Sequence, residues 1–274
     1  MNRWIAALPM YNVTPRHERL WRALLADTLA AFARAGGPDR VAIADEPLGE
    51  LTGLWRRTDL LLSQTCGFPY RMLGLRDDVH LVATPVFDAE GCDGPNYRSA
   101  FVVSASAWQR GATALPACFG LRAACNGMDS HSGMNALRHA VAAHAIEGRF
   151  FSSVLWSGSH VESLKALAGG RADIAAIDCV TLALLRDGLP DLLHDLHVIG
   201  MSACAPGLPL IASHTLGEAS LDRLRVALKQ ALESDPHRAS MLRLRGFVSL
   251  PAENYDRIEQ MAREASALGY PALR

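Results

Sequence analysis

The segment from residue 126 to residue 134, Asn-Gly-Met-Asp-Ser-His-Ser-Gly-Met, joins a predicted strand to a predicted helix. The first backbone N–H groups of a helix have no partner inside it, and the helix dipole adds partial positive charge there. The hydroxyls of Ser130 and Ser132 lie beside these groups, and Gly133 lets a ligand approach the backbone closely. This arrangement predicts a site for an oxyanion. The alternative is ordinary capping, in which a serine only satisfies the start of the helix.

A second junction of the same kind carries the run Ser-Gly-Ser-His at residues 157–160. Ser159 and Glu162 have the spacing of a capping box, which places His160 in the first turn of the following helix. From there the imidazole can donate a hydrogen bond to an oxyanion. The alternative is a helix cap followed by an exposed histidine.

Two further apolar strands end in polar residues. Asp178 ends the run Ile-Ala-Ala-Ile that begins at Ile174, and open α/β sheets bind ligands at the carboxyl ends of their strands. Its carboxylate could accept hydrogen bonds from an amine or hydroxyl of the ligand, or it could cap the helix that follows. The polar residues of segment 63–70 follow another apolar run and point to the same kind of edge.

The sequence contains no motif of a known catalytic or cofactor site, such as G-x-S-x-G, H-E-x-x-H, a P-loop or G-x-G-x-x-G. Ser132 and His160 could act as nucleophile and base, but nothing in the sequence supplies a third group that orients the base. The six cysteines form no C-x-x-C pair and match no zinc pattern. We therefore predict no catalytic residue, no metal site and no cofactor.

These junctions require strands and helices that alternate along the chain, and the sequence predicts such an order. Thr14 and Pro15 begin the first helix as a capping hydroxyl followed by proline, and Gly36 ends it. The other predicted helices cover residues 133–147, 161–168, 221–232 and 255–268, with a short helix or turn over 48–55. The main predicted strands cover residues 4–9, 41–44, 59–63, 79–84, 97–103, 121–125, 174–177 and 197–201. This order predicts an α/β fold with mostly parallel sheets flanked by helices.

Composition limits the class of protein and its partners. The chain has 274 residues, half of them hydrophobic, which suits one large or two medium lobes. A formal net charge of −1 argues against nucleic acid and anionic membranes as partners. No stretch approaches the about 20 apolar residues of a membrane span, and the early apolar run at residues 4–9 is too short for a secretory signal. We therefore expect a cytoplasmic protein, or a periplasmic one if an export signal was trimmed.

Taken in order, three motifs resemble one known family. Asp-Ser-His-Ser-Gly at 129–133 opens a helix, Ser-Gly-Ser-His follows at 157–160, and Ala-Asp-Ile-Ala-Ala-Ile-Asp ends at Asp178. This order resembles the phosphate-, phosphite- and phosphonate-binding proteins of ABC transporters, which have the type 2 periplasmic binding protein fold. The resemblance extends from Ala6 to Pro209.

The resemblance implies a function and a set of binding residues. A small phosphonate- or phosphate-like anion would bind in a cleft between two lobes, which close on it by hinge bending. A transporter permease or a regulatory protein would be the macromolecular partner. By similarity, the ligand-binding residues are Tyr11, Gln64 and Thr65 from the first lobe, and Ser130, His131, Ser132, Gly133, His160 and Asp178 from the second.

The same resemblance implies a discontinuous first lobe. It would comprise residues 1–100 and 202–274, and the second lobe would comprise residues 101–201. The hinge strands would lie near residues 97–103 and 199–206.

Two other functions compete with solute binding or sensing. One is a cytoplasmic enzyme of the same fold that acts on a small anionic metabolite, as in cofactor biosynthesis. The other is an interaction module that binds a partner only when its ligand is present. A binder is stabilised by its ligand without turnover, an enzyme consumes it, and an interaction module captures a partner in a ligand-dependent way.

Overall fold

A computed structural model describes residues 4–44 and 51–274. The chain divides into two compact units, Met1–Asp88 with Pro206–Asn254, and Ala89–Ala205 with Tyr255–Arg274. Each unit has its own β-sheet, of six strands in the first and five in the second among the residues described. Within those residues, no helix is both long and apolar enough to cross a membrane.

The strands in chain order are β1 (Trp4–Ala7), β2 (Val41–Ile43), β3 (Leu60–Gln64), β4 (Val79–Phe87), β5 (Asn96–Tyr97), β6 (Ser99–Ser104), β7 (Arg122–Cys125), β8 (Ser153–Trp156), β9 (Ile174–Asp178), β10 (Leu196–Met201), β11 (Ala205–Pro206), β12 (Leu210–Ser213) and β13 (Leu244–Val248). The α-helices are α1 (Pro15–Arg34), α2 (Leu51–Trp55), α3 (Gly67–Met72), α4 (Ala105–Gln109), α5 (Ala136–Val141), α6 (His160–Ala168), α7 (Cys179–Gly188), α8 (Glu218–Glu233), α9 (Pro236–Met241) and α10 (Asp256–Ala267). A single π-helical turn, His131–Asn135, precedes α5.

The sheet of the first unit has the order β13-β4-β12-β3-β1-β2. β1 pairs in parallel with β2 and β3, whereas β12 pairs antiparallel with β3 and β4, and β13 antiparallel with β4. Strands β1 to β4 therefore run in one direction. Helix α1 begins as predicted, because the Thr14 side chain accepts a hydrogen bond from the backbone N–H of His17 at 3.3 Å and Pro15 follows it.

The sheet of the second unit has the order β10-β6-β9-β7-β8. β7 pairs in parallel with both β8 and β9, whereas β6 pairs antiparallel with β9 and β10. Only β6 among these five runs against the others. The carboxyl ends of β7, β8 and β9 consequently meet at one edge of the sheet, and the loops that follow these strands carry the predicted anion-binding residues of this unit.

The amino ends of β7 and β9 are joined by the buried carboxylate of Asp173. Its oxygens accept hydrogen bonds from the Arg122 side chain at 2.9 and 3.1 Å, from the Arg122 backbone at 3.0 Å and from Arg110 at 3.1 Å. These bonds hold the pKa of Asp173 below its usual value, with Arg122 the largest cause. The charge is therefore well paired, and it fixes the start of the two strands that end at the candidate site.

The structure places three segments differently from the predicted lobes. Residues 89–100, 202–205 and 255–274 belong to the second unit, although the sequence predicts all three in the first lobe. β6 lies inside the second sheet, and α10 packs on α5. An amphipathic helix such as α10 must cover an apolar face, but its sequence does not state which sheet provides that face. The predicted hinge strands stay a prediction.

Three regions also differ in detail from the predicted elements. The helix expected over residues 133–147 is divided into the π turn, α5 and a 3₁₀ turn at Ala142–His144. β12 and β13 were not predicted, because each has only four or five residues and Gly246 interrupts the apolar pattern of β13. Of the short helix expected over 48–55, residues 48–50 lie outside the described residues, and α2 covers the rest.

Candidate anion-binding site

Three loops meet at the carboxyl edge of the second sheet, one after each of the parallel strands β7, β8 and β9. The loop after β7 carries Ser130 and Ser132, the loop after β8 leads to His160, and β9 ends at Asp178. Because β8 and β9 are the two neighbours of β7, these residues approach one another although 48 positions separate the first from the last. The junctions predicted separately from the sequence are thus brought to one place within the second unit.

Ser130 caps the π turn. Its Oγ accepts a hydrogen bond from the N–H of Gly133 at 3.0 Å, and its carbonyl accepts one from the N–H of Asn135 at 3.0 Å. The capping alternative is therefore realised at this serine. The N–H of Ser132 lies earlier in the same turn, where the first N–H groups of a helical segment point away from it. Such N–H groups can donate to an oxyanion, and their contact with a ligand stays a prediction.

The side chains of Ser132 and His160, which come from two different loops, lie within hydrogen-bonding distance of each other. The Ser132 Oγ lies 2.8 Å from His160 Nε2, and Ser159 caps α6 by accepting a hydrogen bond from the N–H of Glu162 at 3.1 Å. Ser159 is therefore the N-cap of α6, and His160 occupies the first position of the helix, where the imidazole reaches the serine loop. The reciprocal bond of a capping box stays a prediction, because the Glu162 carboxylate pairs with Lys165. Burial lowers the pKa of His160 to about 4, and the backbone of Ala176 offsets this only in part. The ring is neutral at pH 7.

His131 is also a neutral ring. Its side chain is 2 % exposed, and burial, followed by repulsion from His139 and Arg257, lowers its pKa to about 3. The ring lies beside that of Tyr97, with 6.1 Å between centroids. Both histidines of the candidate site therefore provide polar N–H groups without a formal positive charge at neutral pH.

Gly133 is needed for the shape of the turn. A Cβ at this position would lie 1.8 Å from the Oδ1 of Asn126, well inside van der Waals contact. That oxygen is buried, and in the part of the chain described here it accepts no hydrogen bond. Asn126 thus packs directly against Gly133, a contact that is not among the features predicted from the sequence. Its position immediately after β7, in a loop of small residues, was the available signal.

Asp178 caps α7. Its Oδ1 accepts hydrogen bonds from the N–H groups of Val180 at 2.7 Å and Thr181 at 3.1 Å, and the residue is 2 % exposed. The capping alternative raised from the sequence is therefore realised, and a contact of the carboxylate with a ligand stays a prediction.

The cap at Asp178 predicts a loss of stability when its oxygen is removed. We expect Asp178→Ala to lower the free energy of unfolding by about 1–2 kcal/mol, because two N–H groups of α7 lose their acceptor. Asp178→Asn keeps the capping oxygen and serves as the matched control. Urea denaturation measures both variants, and an equal loss in the two would show that the charge rather than the cap stabilises the helix.

The predicted residues of the first unit lie at the carboxyl edge of its own sheet. Tyr11 follows β1, and its ring packs on Trp21 and Phe87 at centroid distances of 6.2 and 5.2 Å. Gln64 ends β3, is 1 % exposed and donates a hydrogen bond to the Leu208 carbonyl at 3.2 Å. Thr65 is fully buried, and its hydroxyl donates to the Cys66 carbonyl at 3.3 Å. Their contact with a ligand stays a prediction.

Among the described residues, no group of three or more His, Cys, Asp or Glu side chains could hold a metal ion. The donors of the candidate site are hydroxyls, amides and neutral imidazoles. Hydroxyls, amides and neutral imidazoles can each donate a hydrogen bond to an anion.

The sequence matches one family described as the phosphonate-binding periplasmic substrate-binding proteins of ABC transporters, over residues 56–255. No curated protein matches the chain.

Several solved structures share its fold. PhnD1 from Prochlorococcus marinus in complex with methylphosphonate is 17% identical, with a TM-score of 0.73 and coverage of 96% of this chain and 97% of that one. A binding protein component of a phosphonate ABC transporter from Pseudomonas aeruginosa, PA3383, is 16% identical, with a TM-score of 0.74 and coverage of 98% and 88%. XAC2383 from Xanthomonas citri, bound to ATP, is 17% identical, with a TM-score of 0.70 and coverage of 97% and 98%. These similarities confirm the predicted α/β fold of substrate-binding proteins.

Proposed function

Because the chain belongs to the phosphonate family of periplasmic ABC-transporter substrate-binding proteins, we propose that it binds a small phosphonate- or phosphate-like anion at the carboxyl edge of the second sheet. One observation supports this most strongly. The Ser132 hydroxyl, which belongs to the first turn after β7, lies 2.8 Å from His160 Nε2. This contact brings a hydroxyl and an imidazole to the start of the turn, where an oxyanion with three or four oxygens can accept hydrogen bonds from neighbouring donors.

The donors favour an anion without requiring a cation. The two histidines are neutral at pH 7, so attraction comes from oriented N–H and O–H dipoles and from the helix terminus. Because the charge of these donors does not change near pH 7, the change of affinity with pH depends on the charge of the ligand. We expect affinity for methylphosphonate to rise as pH increases through the second ionisation of the ligand and then to level off.

The proposed role is binding and release of the ligand unchanged. Membership of a substrate-binding family supports this role, and a transporter permease is the partner that such a role implies. The family description names a periplasmic protein and does not support the cytoplasmic expectation, so we propose that the protein works in the periplasm. Tyr11, Gln64 and Thr65 are proposed to contribute contacts from the first unit.

Calorimetric titration with methylphosphonate, phosphate, phosphite, sulfate and acetate tests the proposal. We expect the phosphorus oxyanions to bind and Ser132→Ala and His160→Ala each to weaken binding by about 10- to 100-fold, because each removes a hydrogen bond to a charged group worth about 1.5–3 kcal/mol. Phosphorus NMR of the same samples should show the ligand unchanged after long incubation.

Ser152→Ala and His144→Ala are the matched controls. Both residues are exposed and belong to the second unit, and Ser152 lies before β8, at the opposite edge of the sheet. Equal affinity in Ser132→Ala, His160→Ala and the unmodified protein would contradict the proposed site. Consumption of the ligand would instead indicate the enzymatic alternative.

A further inference from the structure

The side-chain amide of Asn135 has only one possible orientation. Its Oδ1 lies 3.0 Å from Nη2 of Arg138, and a guanidinium group can only donate hydrogen bonds. Its Nδ2 lies 3.0 Å from the carbonyl oxygen of Ile258, which can only accept. Two independent partners therefore identify the same atom as the oxygen and the same atom as the nitrogen.

This orientation determines the protonation of His131. The second hydrogen of Asn135 Nδ2 faces His131 Nδ1 at 3.1 Å. An amide N–H can only donate, so Nδ1 must carry a lone pair. Because the ring is neutral at pH 7, its single proton lies on Nε2.

We propose that Asn135 and Arg138 are positioning residues that hold His131 as a neutral Nε2–H donor in the first turn of the anion site. This inference rests on the proposed function, because it assigns His131 to that site. The C-terminal segment holds Asn135 and Arg138 in place. Arg138 also donates hydrogen bonds to the carbonyl oxygens of Ala262, at 3.3 Å, and Pro271. Helix α10 thereby supports the protonation state of a residue at the ligand edge.

The groups around the ring are consistent with a fixed, uncharged donor. Electrostatic repulsion from Arg257 on α10 and His139 on α5 disfavours a positive charge on the ring, and the Tyr97 ring lies beside it. Asn135 is fully buried, so water does not compete for its amide. The proton on Nε2 is consequently set by hydrogen-bond geometry and not by solvent.

Long-range proton–nitrogen NMR of ligand-free, nitrogen-15-labelled protein at pH 7 tests the assignment. We expect a pyridine-type Nδ1 and a pyrrole-type Nε2 for His131. A proton on Nδ1 in the unmodified protein would overturn the inference without any variant.

Asn135→Asp tests the functional role. A carboxylate cannot donate to Nδ1, so the proton should move to Nδ1 or the ring should become charged, and affinity for methylphosphonate should fall by about tenfold or more. Asn254→Asp makes the same change at an exposed site and should leave both measurements unaltered. If the protonation changes but affinity does not, the positioning role is wrong. If the unmodified protein shows the Nε2 proton but binds no phosphorus oxyanion, the proposed function fails and the tautomer assignment stands.

Discussion

Lowering the pH from 7 to 5 should reduce the free energy of unfolding of the ligand-free protein by about 4 kcal/mol. The cause lies in two neutral histidines, the buried His131 and the partly exposed His160, whose pKa values fall to about 3 and about 4 from 6.5 because their rings are largely removed from water. Between pH 6.5 and pH 5 the unfolded chain takes up a proton at each histidine and the folded protein does not. Each ring therefore contributes about 2 kcal/mol over 1.5 pH units, at about 1.4 kcal/mol per unit.

The direction of this effect follows from the lowered pKa values. The contribution of these two histidines to stability is fully present above pH 6.5, where the rings are neutral in both the folded and the unfolded protein. It is lost as the pH falls from 6.5 toward the pKa values of the folded protein. The pKa of Asp173 lies below 3.8 in the folded state, so its contribution is lost only in more acidic solution. The window from pH 6.5 to 5 thus reports mainly on the histidines.

Urea denaturation at half-unit pH intervals measures the effect. His160→Gln should remove about half of the loss between pH 7 and pH 5, whereas the exposed His144→Ala should leave it unchanged. A free energy of unfolding that stays constant across this range would show that the rings are not buried as neutral groups.

Gly133→Ala should weaken methylphosphonate binding by about 100-fold. The new Cβ would lie 1.8 Å from Oδ1 and 2.9 Å from Cγ of Asn126, and 3.3 Å from Oγ of Ser130. The Asn126 side chain or the turn must therefore move. Loss of one donor costs about 1.5–3 kcal/mol with a charged ligand, and the upper end of that range corresponds to about 100-fold.

A double variant identifies the cause of the loss. Asn126→Ala removes the atoms that the new methyl group would meet, so Asn126→Ala combined with Gly133→Ala should recover much of the affinity. Gly217→Ala is the control, because a Cβ there meets no atom within 4 Å and the φ angle of −63° suits alanine. Unaltered affinity in Gly133→Ala would show that the turn adapts. Failure of the double variant to recover would place the cause elsewhere than Asn126.

The features best predicted from the sequence depend on neighbouring residues. Thr14, Ser130 and Ser159 each cap the helical segment that follows, and each accepts from an N–H three residues ahead. A cap requires one side chain and one turn of backbone, so its pattern is visible in four residues. The apolar runs that became β3 and β9 are equally local. The proposal of an anion site at strand ends rests on these same local patterns.

The role of Asp178 and the position of the C-terminal segment could not be predicted from the sequence. The residues before and after Asp178 permitted both a cap and a ligand contact, and only the structure showed two N–H groups within reach. Helix α10 was assigned to the first lobe, but it packs on α5 through Asn135 and Arg138, which lie more than 120 positions from their partners. No local pattern carries information over such a distance.

Local sequence patterns were enough to predict the helix starts, the strands that precede them, the chemical types of the donors and the family, because capping is a short-range interaction of the backbone. The contact of Ser132 with His160, the neutral state of both histidines and the hydrogen bond from Asn135 to His131 follow only from the fold. Burial and hydrogen bonds between distant segments exist only after β7, β8 and β9 have been placed side by side.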